Sequence, residues 1–142
     1  LRTRNTILFG QGYTVNALQL NNVVATIANK GVKQQQSIIK STTDANGKTT
    51  ETKKGEATRV VDEKVASDMM NAMESVAEGY NKFVKVDGYR MAAKSGTAEV
   101  QGSDGTLSSI ISDYSVVIPA DNPRYASVDA WSFSVALDRS PW

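Results

Sequence analysis

Apolar residues recur at helical spacing in two stretches of this chain and at strand-like spacing through its second half. Leu20, Val23, Val24, Ile27 and Ala28 form one stripe, which begins after Asn16, a good N-cap with Gln19 three residues on, and stops at Gly31. A helix is predicted over about 17–29. Asp62 opens a second, with Val65, Met69, Ala72, Met73 and Val76 as its expected buried stripe and Gly79 as its end. Between them, two Thr-rich polar segments around 38–43 and 48–52 flank the turn sequence Asp44-Ala45-Asn46-Gly47, which predicts a small exposed hairpin. Lys53 to Glu56 reads as a charged loop.

From about residue 89 the spacing changes. A small-residue strand over 91–100 is followed by the turn Gly102-Ser103-Asp104-Gly105. An apolar strand from Ser109 to Pro119 comes next, then a second turn, Ala120-Asp121-Asn122-Pro123-Arg124. This is an antiparallel meander, and with the two helices the fold class is α+β.

At 142 residues and 40% hydrophobic content the chain suits one soluble domain with a single core. Its 16 basic and 15 acidic residues are mixed without a basic block, so a nucleic-acid partner is not expected. There is no cysteine and no histidine, which excludes disulfides, thiolate or imidazole metal sites, a cysteine nucleophile and a Ser-His-Asp triad. Acid-base work must fall to Lys, Asp, Glu or Tyr. Gly10-Gln11-Gly12 completes no phosphate-binding or dinucleotide-binding pattern, and no cofactor is expected. No apolar run reaches the roughly 18 to 20 residues that cross a bilayer, and residues 1–12 lack a signal-peptide profile.

Candidate chemistry gathers in Met91-Ala92-Ala93-Lys94-Ser95-Gly96-Thr97-Ala98-Glu99-Val100. Extended backbone sends Lys94, Gly96 and Ala98 to one face and Ser95, Thr97 and Glu99 to the other. Gly96, without Cβ, lets another chain lie close, so this edge is suited to an extended peptide, with Lys94, Ser95 and Thr97 available for a carboxylate. A second candidate, Ser37-Ile38-Ile39-Lys40, spells S-x-x-K, a serine nucleophile with a lysine base. That chemistry needs a helix start, whereas the glutamines before it and the β-branched residues within it favour a strand. A coincidental tetrapeptide is the expected reading.

Several blocks together resemble class B penicillin-binding proteins. The segment Phe9 to Leu20 is similar to the family's FGxGxxVTPLQL, with Asn16 where Thr is usual, and Ala25 to Val32 is similar to the helix end that follows. Met70 to Ala77 resembles its MxxMxxVA helix, Gly88 to Ala98 its Lys-Ser/Thr-Gly strand, and Ile118 to Tyr125 the turn after it. The resemblance runs over about residues 4–126. It implies that residues 1–142 are the C-terminal part of a peptidoglycan D,D-transpeptidase domain, an incomplete penicillin-binding-protein/β-lactamase-like fold without the S-x-x-K and S-x-N motifs.

In that family a serine attacks the D-Ala-D-Ala carbonyl of a peptidoglycan stem peptide, and β-lactams acylate the same serine. The resemblance gives Lys94 a positive field and a proton-relay role, Ser95 and Thr97 hydroxyl contacts to the substrate carboxylate, and Gly96 the close approach. It makes the Thr97 backbone N–H one half of an oxyanion hole. Alone, the chain is expected to be inactive. The implied parent is extracytoplasmic and anchored in the bacterial cell membrane by a segment outside this sequence. A non-catalytic peptidoglycan- or peptide-binding module is the alternative, and a serine β-lactamase fits less well because the FGxG and PLQL-like blocks belong to transpeptidases. The chain departs from the family where Ser127 to Phe133 precede Ser134-Val135-Ala136-Leu137-Asp138, which reads as an insertion that leaves the last strand's register open. The resemblance implies that this strand's partner lies in the N-terminal part of the domain, and an apolar strand left unpaired in that way predicts a homodimer or larger assembly through about 124–138.

Overall fold

The computed structural model describes residues 7, 8, 10, 12, 14–53, 55–79, 86–103, 105 and 107–134. Helix α1, Ala17–Ala28, begins with a complete capping box, in which the Asn16 side chain accepts from the Gln19 N–H at 2.8 Å and the Gln19 side chain accepts from the Asn16 N–H at 2.9 Å. Its C-terminus closes as a Schellman turn. The Gly31 N–H donates to the Thr26 carbonyl at 2.8 Å and the Lys30 N–H to the Ile27 carbonyl at 3.1 Å, with Lys30 itself in the left-handed region at φ 56°. Gly31 follows at φ 81°, and a Cβ on it would run into the Val61 backbone, so the predicted helix stop is also a point of chain contact.

That contact brings back a distant part of the chain. Strand β1, Val32–Gln34, pairs antiparallel with β4, Ala57–Arg59, and the N–H groups of Val60 and Val61 both donate to the Gly31 carbonyl. The sequence pattern missed this pair because its residues are polar and carry no alternation. Strands β2, Ser41–Thr43, and β3, Thr49–Glu51, form the expected exposed hairpin, narrower than predicted. Asp44 shapes its turn by accepting from the N–H groups of Asn46 and Lys48, both at 2.9 Å.

Helix α2, Glu63–Gly79, starts where Asp62 places its carbonyl to accept from Ala66. The predicted stripe is corrected in part: Met73 is buried and Val76 half-buried as expected, but Ala72 is exposed. The buried line is Ala66, Met73 and Ala77, with Met70 half-buried between them, whereas Val65 and Met69 are 54% and 47% exposed. The buried line is turned by about one residue from the predicted one, with Met73 common to both, and its alanines let the backbones of helix and sheet approach. On α1, likewise, Val24 is buried and Val23 exposed.

The meander is as expected: β5, Ala92–Gln101, β6, Leu107–Ile118, and β7, Tyr125–Ser134, lie antiparallel in that order. The open register of the last strand is resolved, since Tyr125 pairs with Ile118 and Ser134 with Ser109 without a shift. Residues 127–133 are therefore part of the strand itself. Residues 135–142, which include the Val135 to Asp138 segment, lie outside the described residues, as do the side chains of Trp131 and Phe133.

Two core clusters fix the sheet to the helices. Val24 of α1 and Met73 of α2 pack on Ala92 and Val117, with Ile27, Ala28, Met70, Ala120, Ala126 and Val128 around them. Ala77 packs with Met91 and Ala93, joined by Tyr114, Val116 and Ile118. Burial of a side chain such as Val117, which has no exposed surface, is worth about 1.5–3 kcal/mol.

Candidate active site

Strand β5 has two parts. Met91, Ala92 and Ala93 are buried, Ala92 and Ala93 completely, each in one of the two core clusters. Lys94 and Thr97 are exposed, with Ser95 and Gly96 half-buried between them. The alanines are what allow helix and strand to close at the root, so the chemistry-bearing residues emerge from an anchored base.

The root is tied a second time. Arg90 donates from Nε to Glu74 Oε1 at 2.5 Å and from Nη2 to Oε2 at 2.7 Å, a fork on a carboxylate that is only 16% exposed. The pairing raises the Arg90 pKa above its ordinary value, with Glu74 as the main cause and Asp121 and Glu78 adding to it. The Arg90 carbonyl accepts from the Ala120 N–H at 2.9 Å, so the start of β5 is held to both α2 and the turn after β6.

Register sets which side chains share a face. Lys94 stands opposite Ser115, Ser95 opposite Tyr114, Gly96 opposite Asp113 and Thr97 opposite Ser112. Directly opposed residues lie on one face, so Lys94, Gly96, Ser115 and Asp113 go together, and Ser95, Thr97, Tyr114 and Ser112 face the other way. The other edge of β5 pairs with no strand among the described residues. The Lys94 ammonium donates to the Ser95 carbonyl, within reach of its own strand.

Asp113 was not singled out by the sequence. Its carboxylate lies over Gly96, where a Cβ would meet Asp113 Cγ at 2.9 Å. Counting back from the Gly102–Gly105 turn suggests the pairing only once the shift at Val100/Gln101 is known.

Ser37 is not part of this site. It sits in an exposed loop, where its hydroxyl donates to the Ile39 carbonyl at 2.9 Å and accepts from the Ile39 N–H at 3.2 Å. No helix begins there, and the strand expected over 38–43 starts only at Ser41. Nor do the described residues contain a cluster of three or more His, Cys, Asp or Glu that could hold a metal ion, or a helix long and apolar enough to cross a membrane.

The family model for the penicillin binding protein transpeptidase domain matches residues 2–132. The chain belongs to that family. Among curated penicillin-binding relatives, the peptidoglycan D,D-transpeptidase FtsI of Escherichia coli is 37% identical over 128 residues, 88% of this chain and 20% of its own length. PbpB of Mycolicibacterium smegmatis is 32% identical over 127 residues, 82% of this chain and 20% of its own. This transpeptidase-family chain therefore spans about a fifth of the length of the curated relatives it matches.

Solved structures agree in shape. The crystal structure of a peptidoglycan synthetase from Bifidobacterium adolescentis superposes with a TM-score of 0.84 at 64% identity, covering 96% of this chain and 26% of that one. Penicillin-binding protein 3 of Mycobacterium tuberculosis in complex with ampicillin superposes with a TM-score of 0.78 at 29% identity, covering 88% and 30%.

Proposed function

We propose that this chain is the C-terminal part of a transpeptidase domain that cross-links peptidoglycan stem peptides by serine acyl transfer and is acylated by β-lactams. The observation that carries the proposal is the anchored edge strand with Lys94, Ser95, Gly96 and Thr97 directly beyond its buried root. A peptide laid along the unpaired edge of β5 gains main-chain hydrogen bonds as an added strand. Lys94 supplies positive charge and a relay partner for the proton of the attacking serine, and the hydroxyls of Ser95 and Thr97 hold the substrate carboxylate. The Thr97 N–H donates to the oxyanion as the serine adds to the D-Ala-D-Ala carbonyl and D-alanine leaves.

The serine, its S-x-x-K lysine and the S-x-N motif belong to the remainder of the domain, so the isolated chain is inactive on this proposal. The complete protein acts outside the cytoplasm, anchored in the bacterial cell membrane. Acylation of that protein by labelled benzylpenicillin tests the proposal: covalent labelling of a serine outside residues 1–142 supports it. No labelling, together with binding of stem peptides, would establish the non-catalytic binding module instead.

A further inference from the structure

Asp113 lies at the site and has no part in the proposed chemistry. It stands opposite Gly96, so its side chain shares a face with Gly96 and Lys94. With a Cβ at residue 96 it would be 2.9 Å from Asp113 Cγ and closer still to Oδ2, so the carboxylate leans across β5 towards the strand's unpaired edge. Lys94 does not neutralise it: its ammonium donates to the Ser95 carbonyl, and no ion pair joins Asp113 to a cation among the described residues. A carboxylate with no cation partner among the described residues therefore stands over the glycine of the substrate edge.

A strand added to β5 runs about 4.8 Å beyond it. From that position, an ammonium group on the ligand opposite Gly96 has to span about one strand spacing to reach Asp113, a distance that a short amine side chain covers. A ligand with a neutral or anionic group at the same place gains nothing or is repelled. We propose that Asp113 is a specificity-determining residue that favours stem peptides and β-lactams carrying a free ammonium group near the reacting carbonyl. This rests on the proposed transpeptidase function and names the substrate class of the same site.

The test uses the complete protein and two β-lactams that share a scaffold, ampicillin with an amine on its side chain and benzylpenicillin without one. The second-order acylation rate is measured for each, and the ratio of the two is compared between the natural protein, Asp113→Asn and Asp113→Glu. Taking the ratio cancels any loss of folded or active protein. Asp113→Asn is expected to lower the ampicillin preference about threefold to fivefold, the scale of a partly exposed ion pair. Asp113→Glu is expected to keep most of it, and 0.5 M salt to shrink it in the natural protein. An unchanged ratio in Asp113→Asn, with normal acylation by benzylpenicillin, overturns the assignment of Asp113 while leaving the transpeptidase function intact. Failure of benzylpenicillin to acylate the natural protein overturns that function and this specificity with it.

Discussion

The Asp113 carboxylate occupies the space beside Gly96 where any other residue would carry its Cβ. Gly96→Ala must therefore push this side chain aside, and because what it meets is the end of a flexible, half-buried carboxylate the expected cost is about 1 kcal/mol or less. Asp113→Ala removes the obstacle. The double variant should recover most of the loss, and a urea double-mutant cycle reads the coupling directly. Additive losses would mean that the glycine is needed for some other reason.

Gly31 presents the opposite case, because what a Cβ would meet there is backbone. Its Cβ would lie 2.8 Å from the Val61 carbonyl carbon, at a φ of 81° that L-residues rarely adopt. Neither the Schellman turn nor the β1–β4 junction can yield without breaking hydrogen bonds. Gly31→Ala is expected to cost at least about 2 kcal/mol in chemical denaturation, more than Gly96→Ala.

Two methionines of the predicted α2 stripe differ in consequence. Met73 is 5% exposed in the cluster with Val24, Ala92 and Val117, so Met73→Ala should destabilise the chain by about 2–5 kcal/mol. Met69, one turn earlier and 47% exposed, should cost about 0.5 kcal/mol or less when changed to Ala in the isolated chain. Thermal unfolding of the two variants side by side decides which of the two faces the core.

Lys30 lies 3.1 Å from Glu63, and its hydrogen bond and charge lower the Glu63 pKa. A depressed carboxylate pKa contributes stability that is present above the unfolded-state value and is lost as pH falls through the folded-state one. Stability should accordingly decline on acidification below about pH 4.3, the ordinary value for Glu, and the decline should be shallower in Glu63→Gln. Both groups are exposed, so the difference should shrink in 0.5 M salt. Melting temperature followed from pH 6 to pH 3 at two salt concentrations measures it.

Strand β7 has no strand on its outer side among the described residues, which leaves a row of main-chain groups open to another copy. The isolated chain is expected to associate through about 124–138. Light scattering across a concentration series checks this: a monomer up to millimolar concentration would rule it out.

Much of this architecture was legible in the sequence where local chemistry decides structure. Asn16 with Gln19, the Asp44 to Gly47 turn, and the alternation from Ala92 to Ile118 each carry their own signal. The β1–β4 pair was not legible, since Val32 and Arg59 are far apart in sequence and their contact depends on the Gly31 carbonyl receiving Val60 and Val61. The face of α2 is legible only in part: Met73 is buried as its spacing predicts, but periodicity does not fix the helix's rotation closely enough to put Ala66 and Ala77 in place of Val65 and Met69. Lys94 to Thr97 stand out in the sequence by residue type and by the family-like blocks around them. Asp113 does not, because its place over Gly96 follows from a cross-strand register that the irregularity at Val100/Gln101 conceals.

The role of Lys94 is the centre of the account, and one experiment addresses it. Lys94 is exposed, beyond the buried root of its strand, so Lys94→Ala should change stability by no more than about 0.5 kcal/mol. In the complete protein the measurement is the rate of acylation by labelled benzylpenicillin in the natural form, Lys94→Ala and Ser37→Ala, with melting temperatures alongside. The account predicts a loss of at least about a hundredfold for Lys94→Ala, the scale of one acid-base or electrostatic contribution, with the melting temperature unchanged and Ser37→Ala like the natural protein. An undiminished rate in Lys94→Ala, or loss of acylation in a folded Ser37→Ala, would contradict it.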